Sequence, residues 1–269
     1  MRAIEKLPNF TGVEAGNTVS LNLPVGLTYD KIHLAYTGVQ ANQIKNIRIE
    51  TNGRMLTEYR SLQDLLDENE RFQRETLADY ATFHFVQDQL ESAQKAALIE
   101  RRFFALGTVG LSTLQLKFDI DSAATAPEIE AFAEKSAPAP VGWVFKRRSF
   151  MYNLINGRTE IDNLPRPDGA HIAGILIKAP GIDGVEFLVD NTKWRDSIPK
   201  ALHNHINKQN GRTAISNQYW IDFMLEGDMY ESLKLDKAIR DMRLRIDATT
   251  AGQAEVVVYY FADYAKSSF

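Results

Sequence analysis

An internal duplication constrains this chain more than any single motif does. The stretch Leu116-Lys-Phe-Asp-Ile-Asp121 alternates apolar and charged residues, closes on an Asp, turns through small residues and restarts at Glu128. Met242-Arg-Leu-Arg-Ile-Asp247 does the same and restarts at Glu255. Upstream, Leu23-Pro24, Ile32, Gly38 and the run starting at Ile44 are matched in the same order by Leu164-Pro165, Ile172, Gly181 and the run starting at Ile182. The offsets are 141, 138 and 126 (164 − 23, 182 − 44 and 247 − 121), shrinking along the chain as two related units with different loop lengths would require. Solenoid repeats are several times shorter, so the pattern is a duplicated domain.

Each copy reads as β structure. Period-two alternation gives a strand with one buried face. The alternating runs that end at Asp121 and Asp247 are each expected to form an antiparallel hairpin with the run that follows. Asn52-Gly53 is a strong two-residue hairpin signal. Helices interrupt the strands in two loops of each unit. Ser61 starts one, with Leu62, Leu65 and Leu66 on a shared face, and residues 90–102 are rich in helix formers. In the second copy, residues 196–211 place Ile198, Leu202 and Ile206 on one face and end on Gly211, and a short helix or turn is expected from Leu233 to Ile239. Gly107 and Gly110 inside an apolar run suggest a bend or bulge. Helices that do not alternate with strands disfavour a parallel α/β fold. The expectation is an all-β chain of two tandem eight-stranded jelly rolls with short helices in inter-strand loops. Residues 1–16 read as an N-terminal arm, 17–136 as the first jelly roll, 137–142 as a linker stiffened by Pro138 and Pro140, and 143–269 as the second jelly roll.

The 269 residues suffice for two domains with cores of their own, and 44% hydrophobic with 25% charged residues is the composition of a globular protein. No apolar run is long enough to span a bilayer, and the first residues lack the apolar stretch of a secretion signal. Without cysteine, disulfides and thiolate metal sites are excluded. A net charge of −4 offers no general attraction for nucleic acid. Arg101-Arg102 and Lys146-Arg147-Arg148 are expected on solvated faces or at interfaces.

Candidate chemistry is sparse. His203 and His205 are two residues apart on the expected helix, so they point to different sides and suit a surface helix better than a metal pair. Asp119 with Asp121, and Glu226 with Asp228, are the carboxylate pairs a hard cation would use, although solvated acidic edges explain them as well. The three Asn-Gly-Arg stretches at Asn52, Asn156 and Asn210 are turn chemistry. Nucleophile-elbow, P-loop and dinucleotide patterns are missing, so no catalytic residue is assigned. Two alternatives to a structural role are a carbohydrate-binding or adhesion protein, using Trp143, Trp194 and Trp220 as stacking faces, and a sandwich hydrolase with paired carboxylates. Trp194 and Trp220 read more easily as core residues.

Several stretches together resemble one family. Gln43-Ile-Lys-Asn46, Phe83-His-Phe-Val86, Phe104-Ala-Leu-Gly-Thr-Val-Gly-Leu111, Lys117-Phe-Asp-Ile-Asp121, Leu164-Pro-Arg-Pro167, Thr192-Lys-Trp-Arg-Asp196 and Asp222-Phe-Met-Leu-Glu-Gly-Asp228 run in order across the chain. In these the chain resembles the major capsid proteins of corticoviruses, marine tailless phages with an internal membrane. The resemblance implies a double jelly roll whose homotrimers, pseudo-hexagonal in outline, tile an icosahedral virion shell made in a bacterial host. It implies as partners neighbouring trimers, a vertex (penton) protein and minor membrane-associated proteins, with no direct nucleic-acid contact and no transmembrane segment. It also implies calcium at subunit or capsomer interfaces, without identifying its ligands.

Overall fold

The computed structural model describes residues 2–90 and 99–266. It divides into two compact units, Met1–Arg147 and Arg148–Phe269. In the first, β1 (Ala3–Lys6), β2 (Thr18–Asn22), β3 (Thr28–Thr37), β4 (Ile44–Thr51) and β5 (Arg54–Ser61) lead into α1 (Leu62–Arg71). β6 (Tyr80–His84), α2 (Ile99–Arg102), β7 (Leu114–Ile120) and β8 (Glu128–Ser136) follow. These strands make two four-stranded sheets, ordered β1-β8-β3-β6 and β2-β7-β4-β5. Leu114, Leu116, Phe118 and Ile120 bury every second position of β7, as the alternation requires. Tyr59 of one sheet meets Phe83 of the other edge to face at 6.0 Å.

The second unit repeats the plan. After β9 (Trp143–Leu154), which carries the chain past the division, come β10 (Gly157–Ile161), β11 (His171–Lys178), β12 (Ile182–Val189) and β13 (Thr192–Arg195). Then come α3 (Lys200–Gln209), β14 (Gln218–Asp222), the two-residue β15 (Leu233–Lys234), β16 (Met242–Ala248) and β17 (Gly252–Asp263). The sheets are ordered β9-β17-β11-β14 and β10-β16-β12-β13, the same sequence of counterparts as in the first unit, and β15 adds to β11. Residues from both sheets, among them Ile175, Ile177, Val185, Phe187, Leu244, Ile246, Val256 and Val258, form one core. Each such side chain contributes about 1.5–3 kcal/mol by leaving water. The duplication extends to single bonds: Thr125 N–H donates to Gly38 O at 3.1 Å, and its counterpart Thr249 N–H donates to Gly181 O at 2.8 Å.

The structure corrects several expectations. β7 and β8 are not a hairpin: β7 pairs with β2 and β4, and β8 with β1 and β3. β16 and β17 separate in the same way, into different sheets. Alternation fixes which face is buried, whereas the partner strand is chosen by non-local packing, and a jelly roll uses these turns to cross between sheets. A true hairpin does form at Asn52-Gly53, where both residues have positive φ (48° and 74°) and Thr51 pairs with Arg54.

Residues 2–16, read as an arm, lie against the first unit. β1 pairs along β8, Leu7 N–H donates to Ala131 O, and Phe10 meets Phe118 edge to face at 5.4 Å. A four-residue strand is too short to show a pattern. α1 runs to Arg71, and Ser61 makes no side-chain cap bond. α3 turns a different face inward: His203 and Asn207 are its buried residues, while Leu202 is 48% exposed. Polar contacts with Trp220 O and Arg195 orient that face. At residues 233–239, expected as a short helix or turn, Leu233 and Lys234 form β15 and a turn follows, closed by Ile239 N–H on Asp236 O at 3.3 Å. Of the helix expected over 90–102, α2 is seen, and 91–98 lie outside the described residues. Lys146 and Arg147, expected on a solvated face or at an interface, are buried.

Candidate functional site

The carboxylates singled out in the sequence are held by donors of their own subunit. On β7, Asp119 accepts from Thr18 Oγ1 at 2.7 Å and Asn46 Nδ2 at 2.8 Å. Those two hydrogen bonds, the Asn46 one foremost, hold its carboxyl below the usual range. Asp121 accepts from Lys45 Nζ and from Ala123 N–H, and its carboxyl is lowered too, chiefly by the Lys45 bond. Asp247, the counterpart of Asp121, takes both arms of Arg158 at 2.7 and 2.9 Å and the hydroxyl of Ser197 at 3.0 Å. In both units the Asp that closes the alternating run pins the crossing turn to a neighbouring cation.

The other pair lies in an exposed turn after β14. Asp228 accepts from Tyr230 N–H at 2.8 Å and so caps a short turn over Met229–Glu231. Glu231 is raised above the usual carboxylate range, first by burial and then by the charges of Glu226, Asp228 and Asp222. Calcium takes six to eight oxygen ligands. Among the described residues no group of three or more His, Cys, Asp or Glu is arranged to hold a metal ion. With Asp119 and Asp121 engaged by their own donors, these residues do not fit a calcium site inside one subunit.

His203 and His205 do point to different sides. His203 is buried, stacks on Tyr219 at 3.9 Å between ring centres, and meets Asn207 Nδ2 at 3.1 Å and the Arg195 guanidinium. Burial, then the Arg195 charge, pushes it down to about 3, so it anchors the helix as a neutral ring. His205 is exposed.

The tryptophans do not make one platform. Trp220 is buried, edge-on to Tyr259 at 5.0 Å, as expected of a core residue. Trp143 lies at 5.9 Å from Phe103. Trp194, expected in the core, is 61% exposed. It is the extra residue of a β-bulge, since Phe187 pairs with Arg195 and Leu188 with Lys193. A bulge re-aims the side chain it carries.

Sequence reasoning missed the hub around Asp222. This carboxylate accepts from Arg212 Nε at 2.7 Å, Trp220 Nε1 at 3.2 Å and Met224 N–H at 2.9 Å, and Arg212 also donates to Asn210 O and Met224 O. Arg212 is the Arg of the third Asn-Gly-Arg stretch, where Gly211 ends α3 and turns the guanidinium inward. Also missed was buried Asp30, held by Arg102 at 2.8 and 3.0 Å and by Ser136 Oγ at 2.9 Å. In both cases a lone acidic residue within an apolar strand was the available signal.

Two sandwiches of identical strand order, with Asp119, Asp121 and Asp247 held by donors of the same subunit, have the architecture of the double jelly-roll class found in viral shells. The chain belongs to the viral coat protein P2 family: the family's N-terminal domain matches residues 4–136 and its C-terminal domain residues 145–264. It is 47% identical to the major capsid protein P2 of Pseudoalteromonas phage PM2 over the full length of both chains. The crystal structure of that protein superposes with a TM-score of 0.97, covering all of both chains. More distant structures share the fold alone. The STIV MCP has a TM-score of 0.70 at 10% identity over 97% of each chain. The Faustovirus major capsid protein has 0.66 at 7% identity over 98% of this chain and 90% of that one. The protein is thus a capsid component of a phage virion and not an enzyme. No helix among its described residues is long and apolar enough to cross a membrane.

Proposed function

We propose that the chain builds the shell as homotrimers that present six similar sandwiches and pack with near six-fold edges around an internal membrane. The observation that carries this reading is the identical strand order of the two units. A trimer of a duplicated domain acquires a pseudo-six-fold outline, which lets one building block tile a closed surface. Neighbouring trimers, a vertex protein and minor membrane-associated proteins are its partners on this reading. On this reading calcium enters between copies, since among the described residues of one subunit no group of three or more His, Cys, Asp or Glu is arranged to hold an ion.

Light scattering after size exclusion, with calcium and then with chelator, tests the proposal. The expected mass is three times the 30.4 kDa chain in both conditions. A trimer that dissociates in chelator would place the ion within the capsomer, and a monomer at every concentration would overturn the reading.

A further inference from the structure

Among the strands that end the sheets, β1 and β13 are two for which the duplication says what covers the outer edge. In the order β2-β7-β4-β5 the last strand is the counterpart of β13 in β10-β16-β12-β13, and in the other pair of sheets β1 is the counterpart of β9. The β5 edge is covered. Arg147 of the first unit lies beside it, paired in parallel with Thr57. The Arg147 guanidinium donates to Glu58 O and lies 4.5 Å over the Tyr59 ring. The equivalent edge of β13 has no strand beside it among the described residues, and it carries Thr192, Lys193 and Trp194 exposed. β1 likewise pairs on one side only, with Ile4 77% exposed. At the 141-residue offset of the Leu-Pro pairs, Arg147 corresponds to Lys6, so β1 matches the segment that covers β5.

We propose that β1 of a second copy of this chain docks along β13, repeating the parallel contact that Arg147 makes with β5. A bare strand edge is a template for pairing, and a bulge that turns a tryptophan outward gives the edge an apolar anchor. The contact joins unlike edges, so it is heterologous and closes only as a ring. With three copies no β1 or β13 edge is left open, and Ile4 and Trp194 are covered at each seam. The inference rests on the trimer reading and names its seam.

The chain has no cysteine, so introduced thiols report cleanly. An Ile4→Cys/Trp194→Cys double variant, treated with a short bismaleimide, is expected to give covalent dimers and trimers and nothing larger on denaturing gels. Each single variant should stay monomeric there. A double variant that is trimeric by light scattering yet yields no covalent species overturns the seam while leaving the trimer intact. A monomeric parent would remove the trimer and the seam together. As an independent variant, Trp194→Asp is expected to lose the trimer at concentrations where the parent is fully trimeric, with an unchanged far-ultraviolet spectrum, and a trimeric Trp194→Asp protein counts against the proposal.

Discussion

Gly174→Ala is the substitution with the most definite consequence. Gly174 lies on β11 where the register with β17 shifts after Ile172, and the indole of Trp220 lies directly over it. A Cβ there would be 2.2 Å from Trp220 Cη2 and 2.4 Å from Cζ2, about 1.3 Å short of an ordinary carbon contact near 3.5 Å. The ring cannot swing aside freely, because its N–H is bonded to Asp222 and its edge packs on Tyr259. Overpacking costs about 1–3 kcal/mol. A displaced indole forfeits a hydrogen bond of about 1 kcal/mol and an aromatic contact of about the same size. A loss of roughly 3 kcal/mol is expected, lowering the melting midpoint of the second unit by about 10 °C. Calorimetry with tryptophan emission checks it, the emission moving to the red as the indole is displaced. The sharper assay is the double-mutant cycle. In a Trp220→Leu background, where the clashing ring atoms are gone and only Ile221 O still lies 2.8 Å from the new Cβ, Gly174→Ala should cost at least about 1 kcal/mol less than in the parent. An equal cost in both backgrounds, or no shift in either, would refute the reasoning.

Gly107→Ala should destabilise the first unit by about 1–3 kcal/mol in urea unfolding, since its Cβ would meet Pro140 O at 2.1 Å and Ala139 O at 2.6 Å. Arg212→Met leaves the buried Asp222 carboxylate without its cation, and a loss of about 3–5 kcal/mol is expected in the same assay. For His203 the sign follows from a folded pKa near 3, well below the ordinary 6.5. The unfolded chain takes up a proton that the folded ring refuses, so the stability present above pH 6.5 is lost as pH falls toward 3. Between pH 6.5 and 5, above the carboxylate range, denaturation midpoints of His203→Gln should depend on pH less steeply than the parent's, by up to about 1.4 kcal/mol per unit.

What the sequence made legible follows from what each pattern encodes. Alternation at 116–121 and 242–247 records a buried face, and both runs are strands with that face inward. It carries no information about the partner, which is why the expected hairpins are crossings between sheets. Asn52-Gly53 was legible because its turn geometry is local. α3 was located but rotated in expectation: apolar spacing favoured Leu202, whereas the polar groups of His203 and Asn207 find buried partners on β13 and β14. The carboxylates were noticed but their role was not, because Thr18, Asn46, Lys45 and Arg158 are distant in sequence from the Asp residues they hold.

The duplication was the most legible feature, and it reaches further than either unit's fold. Once two units share a strand order, any edge that is covered in one and bare in the other becomes informative. The β5 edge is met by Arg147, and the β13 edge is bare among the described residues. A duplicated domain under selection only for its own stability would have had both edges blunted by charge or by a short covering loop. Here the second edge instead presents Trp194 on a bulge, and β1 presents Ile4. Large apolar side chains kept on bare edges are aggregation hazards unless a specific partner meets them. Their placement on the two edges whose counterparts meet at Arg147 and Thr57 is what ties the architecture of one chain to the assembly of several.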